Sequence, residues 1–160
     1  FTFGDDDYQY YETIAGGSGA GQILNIDGST QIFDGTDVVQ THMTNSRLTD
    51  PEILEWRYPV VLEEFSIRAN SGGAGVGKGG NGGTRRLRFL QPMTASILAN
   101  RRRVPPFGAA GGEAAELGSN YVERADGTVQ TFGATASVAM APGDVFVIHT
   151  PGGGGFGSSS

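Results

Sequence analysis

A chain of 160 residues has room for one domain with a real core, and its 27 glycines displace part of an apolar content that stands at 38%. The absence of cysteine excludes disulfides, thiolate nucleophiles and Cys-ligated zinc or iron–sulfur centres. The net charge of −6 is unevenly spread: residues 1–67 carry twelve acidic and two basic side chains, residues 68–160 nine basic and five acidic. That acidic half argues against a nucleic-acid module, which needs a dominant basic face. No apolar run approaches the ~20 residues that span a bilayer, and no signal-peptide pattern opens the chain. The expectation is a cytoplasmic domain with neither membrane nor nucleic acid as a partner.

Phe3 to Ile14 is rich in Tyr, Phe and Thr and reads as a strand that stops at a run of small residues, 15–21. Residues 22–35 place Asp27-Gly28 and Asp34-Gly35 among short apolar stretches, which predicts a hairpin. Val38 and Val39 begin strand-like and give way to a polar run through Arg47. A helix start follows, with either Thr49 and Glu52 as a capping box or Asp50 as cap and Pro51 in the first turn; Pro59 limits it to about two turns. Residues 60–68 and 84–90 read as strands, and eight glycines among the thirteen residues 71–83 between them predict a mobile hairpin loop. Asp126-Gly127 marks a second hairpin, and Val145 to His149 is a buried strand. The fold class is mainly β, or α+β, with one or two short helices and long Gly-rich loops. Phe1-Thr2-Phe3-Gly4 reads as the middle of a strand, so the expected organisation is one β-rich domain over residues 1–157, cut from a larger protein, with residues 158–160 as a linker or tail.

Gly72 to Lys78 has the spacing of a phosphate-binding loop, but Gly79 replaces the hydroxyl residue and a strand follows where a helix is required. Gly16, Gly17, Ser18, Gly19 and Gly21 form a second tract, either an anion nest of consecutive N–H groups or a tight crossing of strands. Thr41-His42-Met43-Thr44-Asn45-Ser46-Arg47 concentrates donors and acceptors in seven residues, as a solvent edge or a polar site. No carboxylate stands at ligand spacing from His42, so no metal is expected. Arg101-Arg102-Arg103 would hold a phosphate or carboxylate through paired N–H groups, or form a solvated basic patch. His149, in its apolar strand, reads as structural.

These segments together resemble the C-terminal portion of the hydantoinase B/5-oxoprolinase family. The resemblance rests on Tyr10-Tyr11-Glu12-Thr13-Ile14-Ala15-Gly16-Gly17-Ser18-Gly19-Ala20-Gly21 and on the run from Thr41 through Glu52. It continues in Gly79-Gly80-Asn81-Gly82, Arg85-Arg86-Leu87-Arg88-Phe89, Arg102-Arg103-Val104-Pro105-Pro106-Phe107-Gly108 and Thr150-Pro151-Gly152-Gly153-Gly154-Gly155-Phe156-Gly157. Residues 22–35 are longer than the family's usual link, and the turn around Lys78 is shorter. The resemblance implies part of an ATP-dependent hydrolase of cyclic amides, such as 5-oxoproline or hydantoins, working with the upstream remainder of a B-type chain and an A-type ATPase subunit or domain. ATP and Mg would sit on that ATPase partner, and this piece alone would bind no cofactor and be inactive. A ketone carboxylase and a purely structural β module are the alternatives. Under the enzyme reading, Glu12, His42 and Asn45 are catalytic candidates. Gly16, Gly17, Ser18, Gly19 and Gly21 would donate N–H groups to an oxyanion or a phosphoryl oxygen, Thr44 would orient the substrate, and Arg47 would clamp a carboxylate, with Arg102 expected to matter less.

Overall fold

The computed structural model describes residues 1–41 and 44–158. Two antiparallel sheets pack face to face. The first has β1 (Thr2–Gly4), β2 (Gln9–Tyr11), β7 (Met93–Leu98) and β10 (Thr135–Met140) in the order β10-β7-β1-β2. The second has β5 (Val60–Arg68), β6 (Gly82–Phe89), β8 (Ser119–Glu123), β9 (Val129–Phe132) and β11 (Val145–His149) in the order β5-β6-β11-β8-β9. A separate hairpin joins β3 (Gly21–Leu24) to β4 (Thr30–Phe33), with Gly28 in the left-handed region at φ 82.

Period-2 alternation decides which side chains enter the sandwich. Phe3, Ala95, Ile97, Val138 and Met140 face inward from the first sheet, and Leu87, Phe89, Val122, Phe146 and Ile148 from the second. Aromatic rings bridge the two layers, Phe1 to Phe146 at 4.9 Å and Phe3 edge-on to Phe89 at 5.5 Å. Each large apolar side chain buried this way stabilises the fold by roughly 1.5–3 kcal/mol. On the outer face, Arg86 joins Glu63 and Glu123, and Arg88 joins Glu63, in a ladder of ion pairs across β5, β6 and β8.

The helix α1 (Pro51–Arg57) starts by the second of the two expected routes. The Asp50 carboxylate accepts from Glu52 N–H at 2.9 Å, Pro51 opens the first turn, and Leu54 is buried in the core. The expected single strand over 3–14 is instead two, because Asp5 Oδ1 accepts from Asp7 and Tyr8 N–H and folds the chain back on itself. Val38 and Val39 belong to no strand; the N–H of Val39 bonds the Gly16 carbonyl.

At one end of the sandwich, segments 16–20, 34–38, 71–81, 107–116 and 151–157, most of them rich in glycine, run against one another outside the named strands. They are joined by backbone hydrogen bonds such as Gly73 N–H to Gly153 O (2.9 Å), Gly153 N–H to Gly80 O (2.8 Å) and Ala20 N–H to Gly154 O (2.9 Å). Glycine is required here by proximity: a Cβ on Gly17, Gly79, Gly80, Gly152 or Gly153 would overlap a neighbouring carbonyl, and none of these five has a positive φ. The logic is that of collagen, where only glycine fits between close-packed extended chains. The mobile loop expected over 71–83 is therefore corrected. The Asn81 side chain accepts from Ser71 and Gly72 N–H, Asp34 accepts from Lys78 N–H at 2.8 Å, and the tract forms part of the bundle.

A candidate site where the sandwich meets the glycine bundle

Three cavities adjoin at Val39, which lines all of them. The largest, about 1030 Å³, has a floor from the ends of β1, β7 and β10, including Ile97, Leu98 and Ala136. Its walls are residues 11–16 and 39–41, with Thr44, Asn100, Arg102 and Thr150 adding polar groups. The second, about 480 Å³, lies between residues 37–40, 45–48 and the β5 side chains Phe65 and Ile67. The third, about 510 Å³, is walled by residues 16–20 and 151–155, with Thr41, Arg101 and Phe107 at its rim.

The expected site residues distribute over these spaces. Gly16 lies between the first and third cavities, and Thr41 faces both. Gly17, Ser18 and Gly19 line the third. Thr44 faces the first, while Asn45 and Arg47 face the second. Thr41 and Thr44 of the polar run thus line cavities shared with the glycine tract, and Val39 N–H to Gly16 O (3.1 Å) ties the chain just before the run to it, but Asn45 and Arg47 face a different cavity from the tract. They do not meet as neighbouring strands of one sheet. Gly21 lies at the start of β3 with the Phe33 ring seated on it. His42 lies outside the described residues.

The tight crossing weighed for the glycine tract is what the geometry shows. Gly17, Ser18 and Ala20 donate their N–H groups to Pro151, Thr36 and Gly154 carbonyls, and Ser18 Oγ accepts from Thr36 N–H at 2.8 Å. Gly16 and Gly19 N–H have no acceptor among the described residues. A Cβ on Gly19 would make only ordinary contact, 3.6 Å from Gly154 O.

Glu12 touches the largest cavity, yet both its oxygens are engaged. Arg85 Nε and Nη2 donate to them at 2.7 and 2.8 Å, and Tyr10 donates its hydroxyl at 2.9 Å. Arg85 is 1% exposed, and its guanidinium lies 5.2 Å from the Phe65 ring centroid. Such a buried pair is costly to break from either side. His149 bonds Ser119 through Nδ1 at 3.1 Å, with its ring edge-on to Tyr121. Burial, and then Arg68, hold its pKa below the usual imidazole value.

Sequence reasoning left Arg101-Arg102-Arg103 undecided. The structure turns Arg101 and Arg102 toward adjoining cavities, helped by a left-handed φ of 56 at Arg101. The Gly72 to Lys78 tract does not fit a nucleotide phosphate, because a carboxylate takes the Lys78 N–H and no helix opens there. No described helix is long and apolar enough to cross a membrane.

The comparisons with known proteins bear on the fold and the family. A 5-oxoprolinase of Dictyostelium discoideum is 49% identical over 156 residues, covering 98% of this chain and 12% of that protein. The ATP-dependent caprolactamase of Pseudomonas jessenii superposes with a TM-score of 0.77 at 26% identity, over 98% of this chain and 28% of that one. Acetone carboxylase shares the fold, with a TM-score of 0.65 at 21% identity over 81% of this chain and 22% of its own. This chain therefore spans about an eighth of the length of the curated relative. The hydantoinase B/oxoprolinase family profile matches residues 1–159, and the chain belongs to that family.

Proposed function

We propose that this chain is part of an ATP-dependent hydrolase of cyclic amides, and that it supplies part of the surface on which the ring is bound and opened. The observation that carries the reading is the junction at Val39 and Thr41, where the β2 exit, the polar run and the Thr150-Pro151 segment enclose one large, mostly apolar cavity with a few polar groups. Relatives named 5-oxoprolinase and ATP-dependent caprolactamase support the class of substrate and the use of ATP. On this reading a separate ATPase part holds ATP and Mg and activates the amide, as the family resemblance implies, in a cytoplasmic assembly. Thr44 and Gly16 face the ring, Asn45 and Arg47 hold the adjoining wall, and His42 is kept as the proton-transfer candidate. Glu12, tied to Arg85, fixes the end of β2 instead of moving protons.

The test uses the full-length protein with its ATPase part. ATP-dependent ring opening of 5-oxoproline is expected, and Thr44→Val should raise KM several-fold with a smaller change in kcat. Absence of ATP-dependent opening of 5-oxoproline, hydantoin and simple lactams would sink the reading. Carboxylation of acetone with bicarbonate would move the chain to the carboxylase branch. The structural-module alternative draws on the committed N–H groups of the glycine tract, and it gains if no cavity-lining substitution changes kinetics without changing stability.

A further inference from the structure

Four arginines of this chain, Arg85, Arg86, Arg88 and Arg124, are paired with carboxylates. Arg102 is different. It is half-buried on the wall of the largest cavity, and its partners among the described residues are neutral oxygens. Asn120 Oδ1 accepts from Nε and Nη2 at 3.2 and 2.8 Å, and the Asn100 carbonyl accepts from Nη1 at 2.7 Å. Asn120 is fully buried, and its own amide donates to Gly133 O at 2.9 Å, so the oxygen facing Arg102 is fixed. Gly118 completes the bracket, since a Cβ there would overlap the guanidinium.

The nearby cation adds to the imbalance. Arg68 also donates to neutral oxygens, the Leu117 and Thr150 carbonyls at 2.7 and 3.2 Å. Burial, and then Arg68, press the Arg102 pKa down to about 10, which still leaves a cation at neutral pH. A half-buried charge beside another of the same sign is costly unless an opposite charge arrives. Of the five guanidinium N–H groups, three are used, leaving one on Nη1 and one on Nη2. That pair suits the two oxygens of a carboxylate or phosphoryl group.

We propose that Arg102 is the anion anchor of this cavity, taking an oxyanion group of a small ligand whose hydrocarbon ring lies against Ile97, Leu98 and Ala136. Asn120 is its positioning residue. The proposal rests on the cyclic-amide reading and deepens it: Arg102 selects ring substrates that carry an oxyanion. Two sources share that chemistry, a carboxylate borne by the substrate and a phosphoryl group placed on the amide oxygen.

Titration calorimetry on the full-length protein separates these cases, with L-5-oxoproline, 2-pyrrolidinone (the same ring without the carboxylate) and inorganic phosphate as probes. Arg102→Gln should weaken 5-oxoproline binding at least tenfold and leave 2-pyrrolidinone unchanged, with Arg102→Lys recovering only part because it lacks the planar fork. Loss of phosphate binding with 5-oxoproline intact assigns the phosphoryl source. Should Arg102→Gln fail to fold, phenylglyoxal labelling of Arg102 in the wild-type protein, read by mass spectrometry, replaces it. 5-Oxoproline or phosphate should slow labelling, and 2-pyrrolidinone should not. Anions that bind Arg102→Gln as well as wild type, or that give no protection, overturn the proposal. Ring opening with kcat and KM both unchanged in Arg102→Gln defeats the anchor alone, whereas Arg102-dependent anion binding without any ring opening defeats the hydrolase reading alone.

Discussion

The sandwich and the glycine bundle solve the same problem by opposite means. In the sandwich, side chains such as Phe3, Leu87, Phe146 and Ile148 fill the space between two backbones. In the bundle the backbones themselves are in contact, and at Gly17, Gly79, Gly80, Gly152 and Gly153 even a Cβ is excess volume. A side-chain core can shift rotamers when perturbed, whereas a carbonyl facing a Cα has nowhere to turn. Glycine, usually a sign of looseness through its entropy cost on ordering, here marks the most constrained part of the molecule.

The sharpest way to break that comparison is Gly153→Ala. Its Cβ would overlap Ser18, whose carbonyl also accepts from Gly80 N–H at 2.9 Å. The loss should exceed the roughly 1–3 kcal/mol usual for overpacking, and thermal denaturation of the full-length protein should show no folded domain. A wild-type melting curve would refute the steric account of the bundle. Next in size is Glu12→Gln, which leaves the buried Arg85 without a counter-charge and should cost about 3–5 kcal/mol. Adding Arg85→Met to it should recover much of the loss, measured by denaturant titration. A third substitution sharpens the contrast inside the bundle. Gly19→Ala meets only ordinary contact, so a change within about 0.5 kcal/mol is expected. If it proves as damaging as Gly153→Ala, glycine's role there is not proximity.

Much of the sandwich was legible because its signals are local. Asp50-Pro51 set the helix start, and Asp126-Gly127 and Asp27-Gly28 set two hairpins, with φ 86 at Gly127. The strands β7 and β10 went unread, since Thr94-Ala95-Ser96 and Thr135-Ala136-Ser137 are small, weakly strand-forming residues that depend on pairing with each other. The bundle was illegible for a different reason. Its logic lives in pairs of segments far apart in sequence, Gly17 with Gly80 or Gly79 with Gly153, and each tract alone looks like a flexible loop. The same limit acted on the site. Composition drew attention to Arg47, whereas the absence of a counter-charge at Arg102 shows only once Asn120, Asn100 and Arg68 surround it.

The smallest expected effect is a pH dependence at the border of the two regions. His149 has its pKa held below 6.5 by burial and by Arg68, Arg86 and Arg102, against a partial opposing pull from Glu64. Between that depressed value and 6.5 the unfolded chain binds more protons than the folded one, so stability rises with pH through this window and falls on acidification. His149→Asn should flatten the part of the stability profile just below pH 6.5, and an unaltered slope would show that another group is responsible.

The segment from Val145 to Gly155 threads both regions, as the central strand β11 between β6 and β8 and then as the partner of three bundle segments. Every strand and bundle segment that it pairs with among the described residues precedes it in the chain. During synthesis, therefore, the earlier strands and glycine tracts emerge with a slot still open through their middle. Neither region can close until this segment arrives, and pairings so remote in sequence favour slow folding. A nascent chain arrested before residue 145 should be held open for chaperones, and release of the final segment should close both halves in one cooperative step.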